Sequence, residues 1–541
     1  MLSSASFAVL LGGGDSALLT PGVLGLALAV ALLGYALLPS AQERALRHIP
    51  QPATTLPILA NTIDFAQSAS RLYDFFLDET QRQHGKMWRY RAIGLPVTLV
   101  LTTPEAYEDV LKTKFDDFAK GYVMWKNMED LLGNGIFTVD GKLWVHQRKT
   151  ASHLFSLQMM RDSMEQTAIH YTAILQSRLE NIAHNNEVVN LKRLLDLFTM
   201  DVFTKIGFGV DLNNLKSNEN HEFLNAFERV SSTLFARFTA PMWVWQVKKW
   251  LNIGSEKSMA KDIKALNTLI FDIISRSMAK QTAARVNDVA NAASGGSRDL
   301  ISLFFEKEST EYANGEQVKT DQAKLIRDMT LSFVAAGRDT TSQSMSWFLL
   351  MLNQYPDVLA KIREELKDKL PDLVNGKKLV PSMEDVQQLV YLDAALKESL
   401  RLNPVVAVNS RIAVRDTTLS DGTLIKKGTK VSMPHYATAR LEAFWGKDAA
   451  EYNPDRWLDP ATRKPILVSP YRYTTFSGGP RVCIGMKFAM MEMKIAMATV
   501  LSHFDVKTVR DPFAIMYRPT LTMTIDGPVD VRVMKRTVSV S

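Results

Sequence analysis

The single cysteine of the 541-residue chain, Cys483, lies in a glycine-rich decapeptide that constrains the fold more than any other stretch does. This peptide reads Phe476-Ser477-Gly478-Gly479-Pro480-Arg481-Val482-Cys483-Ile484-Gly485. A lone cysteine excludes an intrachain disulfide. The glycines permit tight turns and close backbone approach to a flat group, and the charge of Arg481 favours a thiolate. A helix predicted from 486 to 501 adds a favourable dipole. The pattern indicates a thiolate metal ligand, with an inert buried cysteine as the alternative.

A second unusual stretch lies in the middle of a long helix predicted from Thr320 to Gln354. The segment Ala336–Thr341 reads Ala-Gly-Arg-Asp-Thr-Thr. A glycine inside a helix costs about 1 kcal/mol relative to alanine, and Asp and Thr compete for backbone hydrogen bonds. We expect a locally widened helix, in which small residues open a groove and a threonine hydroxyl bonds the freed carbonyl. A kinked helix with a satisfied hydroxyl is the purely structural alternative.

These two stretches resemble motifs of the cytochrome P450 monooxygenases. The pattern Phe-x-x-Gly-x-Arg-x-Cys-x-Gly is similar to the haem-binding loop of that family, and Ala336–Thr341 is similar to its oxygen-binding helix. Two further motifs occur in the expected order. They are Trp144-x-x-x-Arg148, and Glu398-x-x-Arg401 with Arg456 downstream. The resemblance covers nearly everything from about Pro50 onward.

The resemblance implies a mainly α fold with a smaller β portion, formed by a single haem domain behind an N-terminal transmembrane helix. It implies haem b as cofactor, with Cys483 as the axial thiolate ligand of the iron. Thr340 would then act on bound dioxygen, and Asp339 would draw protons from solvent. Glu398, Arg401 and Arg456 would form a buried structural triad. The other cofactor-binding residues implied are Trp144, Arg148 and Arg411 at the haem propionates, with Arg481, Phe476 and Gly337.

The N-terminus predicts a membrane anchor. Residues 17–38 contain no charged side chain, which is enough for about 33 Å of helix, or one bilayer core. Arg44 and Arg47 follow the stretch, so the body is predicted on the cytosolic side of the endoplasmic reticulum membrane. A cleaved signal peptide, a buried core helix and a re-entrant segment are the alternatives. The predicted organisation is an anchor over 1–40, a proline-rich hinge over 41–61 and a haem domain over 62–541.

The electron source is predicted to be a separate protein, because no Gly-x-Gly-x-x-Gly follows a predicted strand. The resemblance implies NADPH-cytochrome P450 reductase, with cytochrome b5 as a further candidate partner. The candidate residues of the basic surface that would dock the reductase are Lys142, Lys149 and Lys487. The net charge of +7 comes without a dense basic block, so no nucleic-acid partner is expected.

The substrate is predicted to be a lipophilic small molecule. The segment 237–256, with Trp243, Trp245 and Trp250 beside Lys248 and Lys249, suits a membrane interface. It also resembles the matching region of fatty-acid ω-hydroxylases, which implies hydroxylation of a long-chain fatty acid at or near its terminal carbon. Sterols or xenobiotics as substrates, a lipid hydroperoxide isomerase or dehydratase, and a non-catalytic haem sensor are the alternatives.

Local patterns predict several smaller elements. Two strands are expected over 88–101, a helix capped by Thr103 is expected after them, and Ser382 is expected to cap another helix with Asp385. Residues 115–137 lack a clear period. The resemblance implies a substrate-contacting loop over the haem there, and core under a loop is the structural alternative. A flexible loop is predicted over 287–297. A C-terminal hairpin is predicted with strands over 521–525 and 529–533.

Overall fold

The computed structural model describes Gly25 and residues 39–217, 221–288, 301 and 316–536. The predicted anchor over 17–38 lies outside these ranges except for Gly25, and the predicted loop over 287–297 lies outside them except for its first two residues. Within the described part of the chain, no helix is both long and apolar enough to cross a bilayer.

The described chain is mostly helical, as predicted. The α-helices are α1 (Ala41–Ala45), α2 (Thr62–Gln67), α3 (Leu72–Arg82), α4 (Pro104–Glu108), α5 (Gly121–Leu132), α6 (Gly141–Ser152), α7 (Leu157–Met159), α8 (Glu165–His184), α9 (Leu191–Phe208), α10 (Asn214–Ser217), α11 (His221–Thr239), α12 (Met242–Trp250), α13 (Gly254–Asp288), α14 (Glu316–Val334), α15 (Thr340–Gln354), α16 (Pro356–Lys369), α17 (Pro371–Val374), α18 (Met383–Gln387), α19 (Val390–Leu402), α20 (His435–Thr438), α21 (Glu442–Trp445) and α22 (Met486–His503).

The strands form small sheets at the edges of the helical body. They are β1 (Trp88–Tyr90), β2 (Thr98–Val100), β3 (Phe118–Ala119), β4 (Val188–Asn190), β5 (Asn409–Ala413), β6 (Thr417–Thr418), β7 (Leu424–Ile425), β8 (Lys430–Met433), β9 (Phe504–Thr508), β10 (Tyr517–Pro519), β11 (Met523–Ile525) and β12 (Asp530–Lys535). The largest sheet has the order β1-β2-β8-β5-β3, and a second has the order β4-β12-β9. In the first, β2 and β8 run parallel and the other pairs are antiparallel.

The core is a set of helices that carry apolar side chains on most of their surface. Helix α9 is buried almost all round, with Leu194, Phe198 and Val202 no more than 2% exposed. Helix α22 packs beside α8 and is buried from Met491 to Ser502, apart from Lys494. A helix that is apolar on all sides needs neighbours on all sides, and α9 and α22 are therefore interior elements.

The long helix is continuous from Glu316 to Gln354, but its centre changes register. The segment Ala335–Asp339 is a π-helical turn between α14 and α15. Thr340 Oγ1 donates a hydrogen bond to the Ala336 carbonyl oxygen at 2.5 Å. The predicted widening and its threonine bond are therefore confirmed.

Several local predictions are confirmed. Strands β1 and β2 pair in antiparallel register. The Thr103 hydroxyl accepts from the Ala106 amide at the start of α4. Ser382 and Asp385 form a reciprocal capping box at α18.

Two local predictions are wrong. Residues 115–137 contain the helix α5 rather than an extended loop, and its buried face is formed by Asn127, Met128, Leu131 and Leu132. Exposed aromatic residues on the other face of α5, such as Tyr122, made the helical spacing of the buried residues hard to recognise in the sequence. The C-terminal strands do not pair with each other either. β11 pairs with β10, and β12 pairs with β9 and β4. Alternation identifies strands but does not identify their partners.

The segment after the predicted anchor is tied to the body. Leu46 is fully buried, and the Gln42 side chain donates to the Lys427 carbonyl oxygen at 2.8 Å. Ala60 has φ 50, in the left-handed region where glycine is favoured. Asn61 exchanges two hydrogen bonds with the backbone of Arg91, so the path of the chain at this turn is fixed.

Candidate active site

The Cys483 loop closes tightly on itself before α22. The Cys483 amide donates to the Phe476 carbonyl oxygen at 2.8 Å. Gly479 has φ +66, and a Cβ built on it would lie 1.9 Å from the Leu111 carbonyl oxygen. Only glycine fits there, because it tolerates this φ and leaves room for the neighbouring backbone. The loop is therefore held in one path between Phe476 and the first turn of α22.

The surroundings of Cys483 act on its thiol in two opposite directions. Its side chain is exposed, yet surrounding protein raises the pKa of the thiol above its ordinary value through burial. Hydrogen bonds from the Gly485 and Met486 amides and the charge of Arg148 act in the opposite direction and favour the thiolate. These amides belong to the start of α22, as the sequence predicts.

The predicted role of Arg481 in stabilising the thiolate is wrong. Arg481 points to Asp140, whose Oδ1 accepts from its Nη2 at 2.6 Å, and its guanidinium lies 4.2 Å from the Trp144 ring centroid. Arg148 takes the role instead, since its Nη2 donates to the Val482 carbonyl oxygen at 2.8 Å, directly before Cys483. Proximity in sequence did not predict which guanidinium faces the sulfur.

A cluster of buried cations lies beside this loop. Burial and the charge of Arg481 lower the pKa of Arg411 to about 10. Burial, together with repulsion from Arg411 and Arg481, lowers the pKa of Lys120 well below its ordinary value. Asp140 is the carboxylate that attracts all three. Lys120 was not predicted, because a lone lysine before a helix carries no sequence signal.

This cluster fits the haem that the sequence implies. Arg411 and the Arg481 side chain are largely buried opposite one carboxylate, and the half-buried Lys120 lies beside them. The site therefore carries excess positive charge, which is costly unless anions neutralise it. Two propionates of a haem would supply the missing negative charge, held by Arg411, Arg481 and Lys120 beside Trp144. Cys483 would supply the sulfur ligand, with the Gly485 and Met486 amides and Arg148 favouring its thiolate form. The donor set is therefore that of a thiolate-ligated haem.

The predicted proton-delivery residues lie together at the π-helical turn. Ala335, Ala336, Gly337 and Thr340 are partly exposed inside this otherwise buried helix. Asp339 is 6% exposed, and its Oδ2 accepts from the Thr522 hydroxyl at 2.6 Å. Thr522 lies in the turn between β10 and β11 and was not predicted as a site residue. The Asp339 carboxylate on the widened turn is thus hydrogen-bonded to the Thr522 hydroxyl, and Thr340 follows it in the chain.

Gly337 has a packing reason of its own. A Cβ built on it would lie 1.9 Å from Cδ2 of Phe203 on α9. The absence of a side chain at Gly337 lets α9 approach the π-helical turn. The partly exposed small residues beside it are Ala335 and Ala336.

The predicted triad of Glu398, Arg401 and Arg456 is confirmed as a buried structural cluster. Arg401 binds both carboxylate oxygens of Glu398 at 2.8 Å, and Arg456 Nε donates to Oε1 at 2.8 Å. The Trp457 indole adds a bond to Oε2 at 2.9 Å, and the Asn453 amide adds one to Oε1. The sequence identified the ions but did not show that the Trp457 indole joins them.

The tryptophan-rich segment divides between surface and interior. Trp243 and Trp250 are 62% and 83% exposed, whereas Trp245 is buried. The Trp245 ring lies 4.0 Å from the Arg237 guanidinium. Arg237 binds Glu256 on α13 and Asp130 on α5, so it joins three helices.

The comparisons with known proteins agree with this geometry. The family model named Cytochrome P450 matches residues 50–530. The chain is 32% identical over 521 residues to the protein named Cytochrome P450 94B1 from Arabidopsis thaliana, covering 93% of this chain and 96% of that protein. It is 30% identical to Cytochrome P450 704C1 from Pinus taeda, covering 86% and 89%. It is also 30% identical to Cytochrome P450 94A1 from Vicia sativa, covering 89% and 90%.

Proposed function

The chain belongs to the cytochrome P450 family, and from that premise we propose that it hydroxylates long-chain fatty acids at or near the terminal carbon. Membership makes it a haem-thiolate monooxygenase that takes its electrons from a redox partner. In the proposed reaction, a C–H bond of the substrate becomes C–OH. The second oxygen atom of O2 leaves as water, with two electrons and two protons consumed.

The observation that carries the monooxygenase chemistry is the pairing of Asp339 and Thr340 on a widened helix turn. When bound, the haem supplies the activation of dioxygen. The protein must then deliver two protons into a pocket from which bulk water is excluded. The Thr340 hydroxyl holds a proton at the partly exposed face, and the Asp339 carboxylate exchanges protons behind it. An isomerase or a sensor has no need of this pair.

The remaining polar residues hold the cofactor and its ligand. The Gly485 and Met486 amides and Arg148 stabilise the negative charge on the Cys483 sulfur. Arg411, Arg481 and Lys120 would bind the propionates, with Trp144 stacked beside Arg481. The Glu398 cluster fixes α19 relative to the segment 453–457 and so supports the loop from the other side.

The lipid substrate is supported by the surface of α12. Trp243, Val247 and Trp250 are exposed on it, with Lys248 and Lys249 in its last turn. Indoles flanked by lysines suit the boundary between headgroups and acyl chains. We propose that this face lies on the endoplasmic reticulum membrane, with residues 17–38 as the anchor. Substrate would then enter from the lipid phase.

The electron donor is proposed to be NADPH-cytochrome P450 reductase, with cytochrome b5 as a second donor. Lys142 and Lys149 on α6 and Lys487 on α22 are all exposed. They flank the Cys483 loop, and together they offer a basic surface to an acidic partner.

A ligand-binding screen tests this function. Purified protein is titrated with fatty acids of graded length, sterols and aromatic compounds, and the low-to-high spin shift of the haem is recorded. A shift confined to fatty acids, with terminal or near-terminal hydroxylated product in the reconstituted reaction, is expected. A shift with sterols or aromatics alone would refute the fatty-acid assignment.

A ligand test accompanies the screen. The reduced protein with carbon monoxide should show the red-shifted Soret band of thiolate ligation, and Cys483→Ser should lose it. The same band in the serine variant would exclude Cys483 as the ligand. Thr340→Ala should keep the band while more reducing equivalents end as peroxide.

A further inference from the structure

Arg338 is a buried cation that lacks hydrogen-bond acceptors among the described residues. It lies in the π-helical turn and is fully buried, with its guanidinium 4.5 Å from the Phe227 ring centroid. None of its three nitrogens finds a hydrogen-bond acceptor among the described residues. Its charge partners are Asp339 Oδ1 at 3.5 Å and Asp196 Oδ1 at 3.8 Å. Both distances exceed those of N–H···O hydrogen bonds.

Ordered water would satisfy the unpaired nitrogens of Arg338. Leaving a buried guanidinium without acceptors is unfavourable. Separations of 3.5 and 3.8 Å are too short for a water molecule in line between the two charged atoms. A water molecule beside each ion pair would instead accept from an Arg338 N–H group and donate to the carboxylate oxygen. Water at Arg338 would therefore lie next to both Asp196 and Asp339.

Asp196 connects the surroundings of Arg338 to the protein surface. It is completely buried on α9, and its Oδ1 accepts from the Ser342 hydroxyl at 2.6 Å. Its Oδ2 accepts from Lys192 Nζ at 2.9 Å, and Lys192 also donates to Glu228 at 2.6 Å. The Glu228 side chain is 34% exposed. Asp196, Lys192 and Glu228 line a cavity of about 460 Å³ between α9, α11 and the β11–β12 segment.

We propose that protons reach Asp339 from this cavity through water held by Asp196 and Arg338, and that Asp196 is the positioning residue of the route. The proposal rests on the proton-delivery role of Asp339 in the proposed function. Each proton that Asp339 gives up towards Thr340 is replaced by one passed along the water chain from the cavity. The O–H bond of the protonated Asp339 carboxyl group breaks when its proton leaves, and a new one forms when the next proton arrives, while Arg338 keeps its charge and no electron moves.

The charge of Asp196 explains why Arg338 does not lock Asp339 in an ion pair. Arg338 lies between two carboxylates, so its attraction is divided between them. Asp196 is itself held ionised. Burial raises its pKa, but the charges of Lys192 and Arg338 outweigh burial and leave the pKa below its ordinary value. Without that charge, Arg338 would close on Asp339 and displace the bridging water.

The test compares Asp196→Asn with a matched buried carboxylate on the same helix. Asp201 is also fully buried, but it accepts from the Asn214 and Leu215 amides, away from Arg338. Palmitate oxidation is reconstituted with NADPH and reductase. The amounts of product and of peroxide per NADPH are measured in H2O and D2O. In Asp196→Asn we expect product per NADPH to fall about tenfold and the solvent isotope effect to rise. Asp196→Glu should restore part of the coupling.

The outcomes separate this proposal from the proposed function. If Asp196→Asn couples and responds to D2O as Asp201→Asn does, the route is wrong, whatever the substrate. If the wild-type protein forms no palmitate product, the proposed function fails instead. A high-resolution crystal structure of the wild-type protein provides a readout without turnover, also if the variant does not fold. Water bridging Arg338 to Asp196 and Asp339 is expected, and a dry contact there overturns the proposal.

Discussion

Replacing Glu398 by glutamine tests how far the structure depends on its buried ionic cluster. Glu398 is fully buried and receives five hydrogen bonds, from Arg401, Arg456, Asn453 and Trp457. Glutamine keeps the shape but removes the negative charge, so Arg401 and Arg456 remain buried beside a neutral group. Breaking a buried ion pair in this way costs about 3–5 kcal/mol.

This cost converts into a measurable shift of the melting temperature. Unfolding entropy is about 2.1 cal/mol/K per residue, or about 1 kcal/mol/K for a domain of about 480 residues. A loss of about 3–5 kcal/mol should therefore lower the melting temperature by about 3–5 °C. The matched control is Glu364→Gln, because Glu364 is exposed on α16 and loses the same charge.

Differential scanning calorimetry at one scan rate compares the two variants with the parent. The Glu398 variant should also lose haem during purification, because the cluster supports the segment before the Cys483 loop. Equal melting temperatures for Glu398→Gln and Glu364→Gln would refute the reasoning, since the buried arginines would then need no counter-ion.

Three further changes test single features. Trp457→Phe should lower the free energy of unfolding by about 1.5–3 kcal/mol, because one hydrogen bond to a buried carboxylate is lost; urea denaturation measures it, and no change would mean that the indole bond is negligible. Gly479→Ala should reduce the haem content, since its Cβ would meet the Leu111 carbonyl oxygen at 1.9 Å, whereas Gly376→Ala, at a similar φ but with nothing within 4 Å, should not. Glu492→Gln should remove a pH dependence. Burial raises the pKa of Glu492 well above its ordinary value, so the folded protein binds a proton that the unfolded chain releases above about pH 4.3. Stability of the parent should then fall by up to about 1.4 kcal/mol per pH unit as the pH rises towards the folded pKa, and an identical urea midpoint profile in the variant would contradict this.

The sequence identified the Glu398 cluster and the widened turn, and the structure confirms both. The turn was predictable because glycine, aspartate and threonine are poor helix formers. The roles of Cys483, Thr340 and Asp339 stay predictions, and the structure places Cys483 just before α22 and the other two residues at the π-helical turn.

Contacts between distant segments could not be predicted from local patterns, and the contact of Glu398 with Arg456 was expected only from the resemblance. Local alternation did not show that β12 pairs with β9 and β4. The charge of Arg481 gave no indication that Asp140 would bind it and that Arg148 would lie near the sulfur instead. Lys120 lies near Arg411 and Arg481 only because the fold brings them together. Such contacts depend on tertiary packing, which local sequence patterns do not show.

The geometry of the π-helical turn depends on α9, which the sequence presents only as an apolar helix. Phe203 occupies the space that a Gly337 side chain would take, and the Thr199 hydroxyl donates to the Arg338 carbonyl oxygen at 3.0 Å. Asp196, one turn before Thr199, faces the Arg338 side chain. One face of α9 thus contacts the turn in three ways. Phe203 packs against Gly337, the Thr199 hydroxyl donates to a backbone carbonyl, and the Asp196 carboxylate attracts Arg338. Because α-helical hydrogen bonds are interrupted at a π-turn, these contacts supply the stabilisation that keeps Asp339 and Thr340 in their positions.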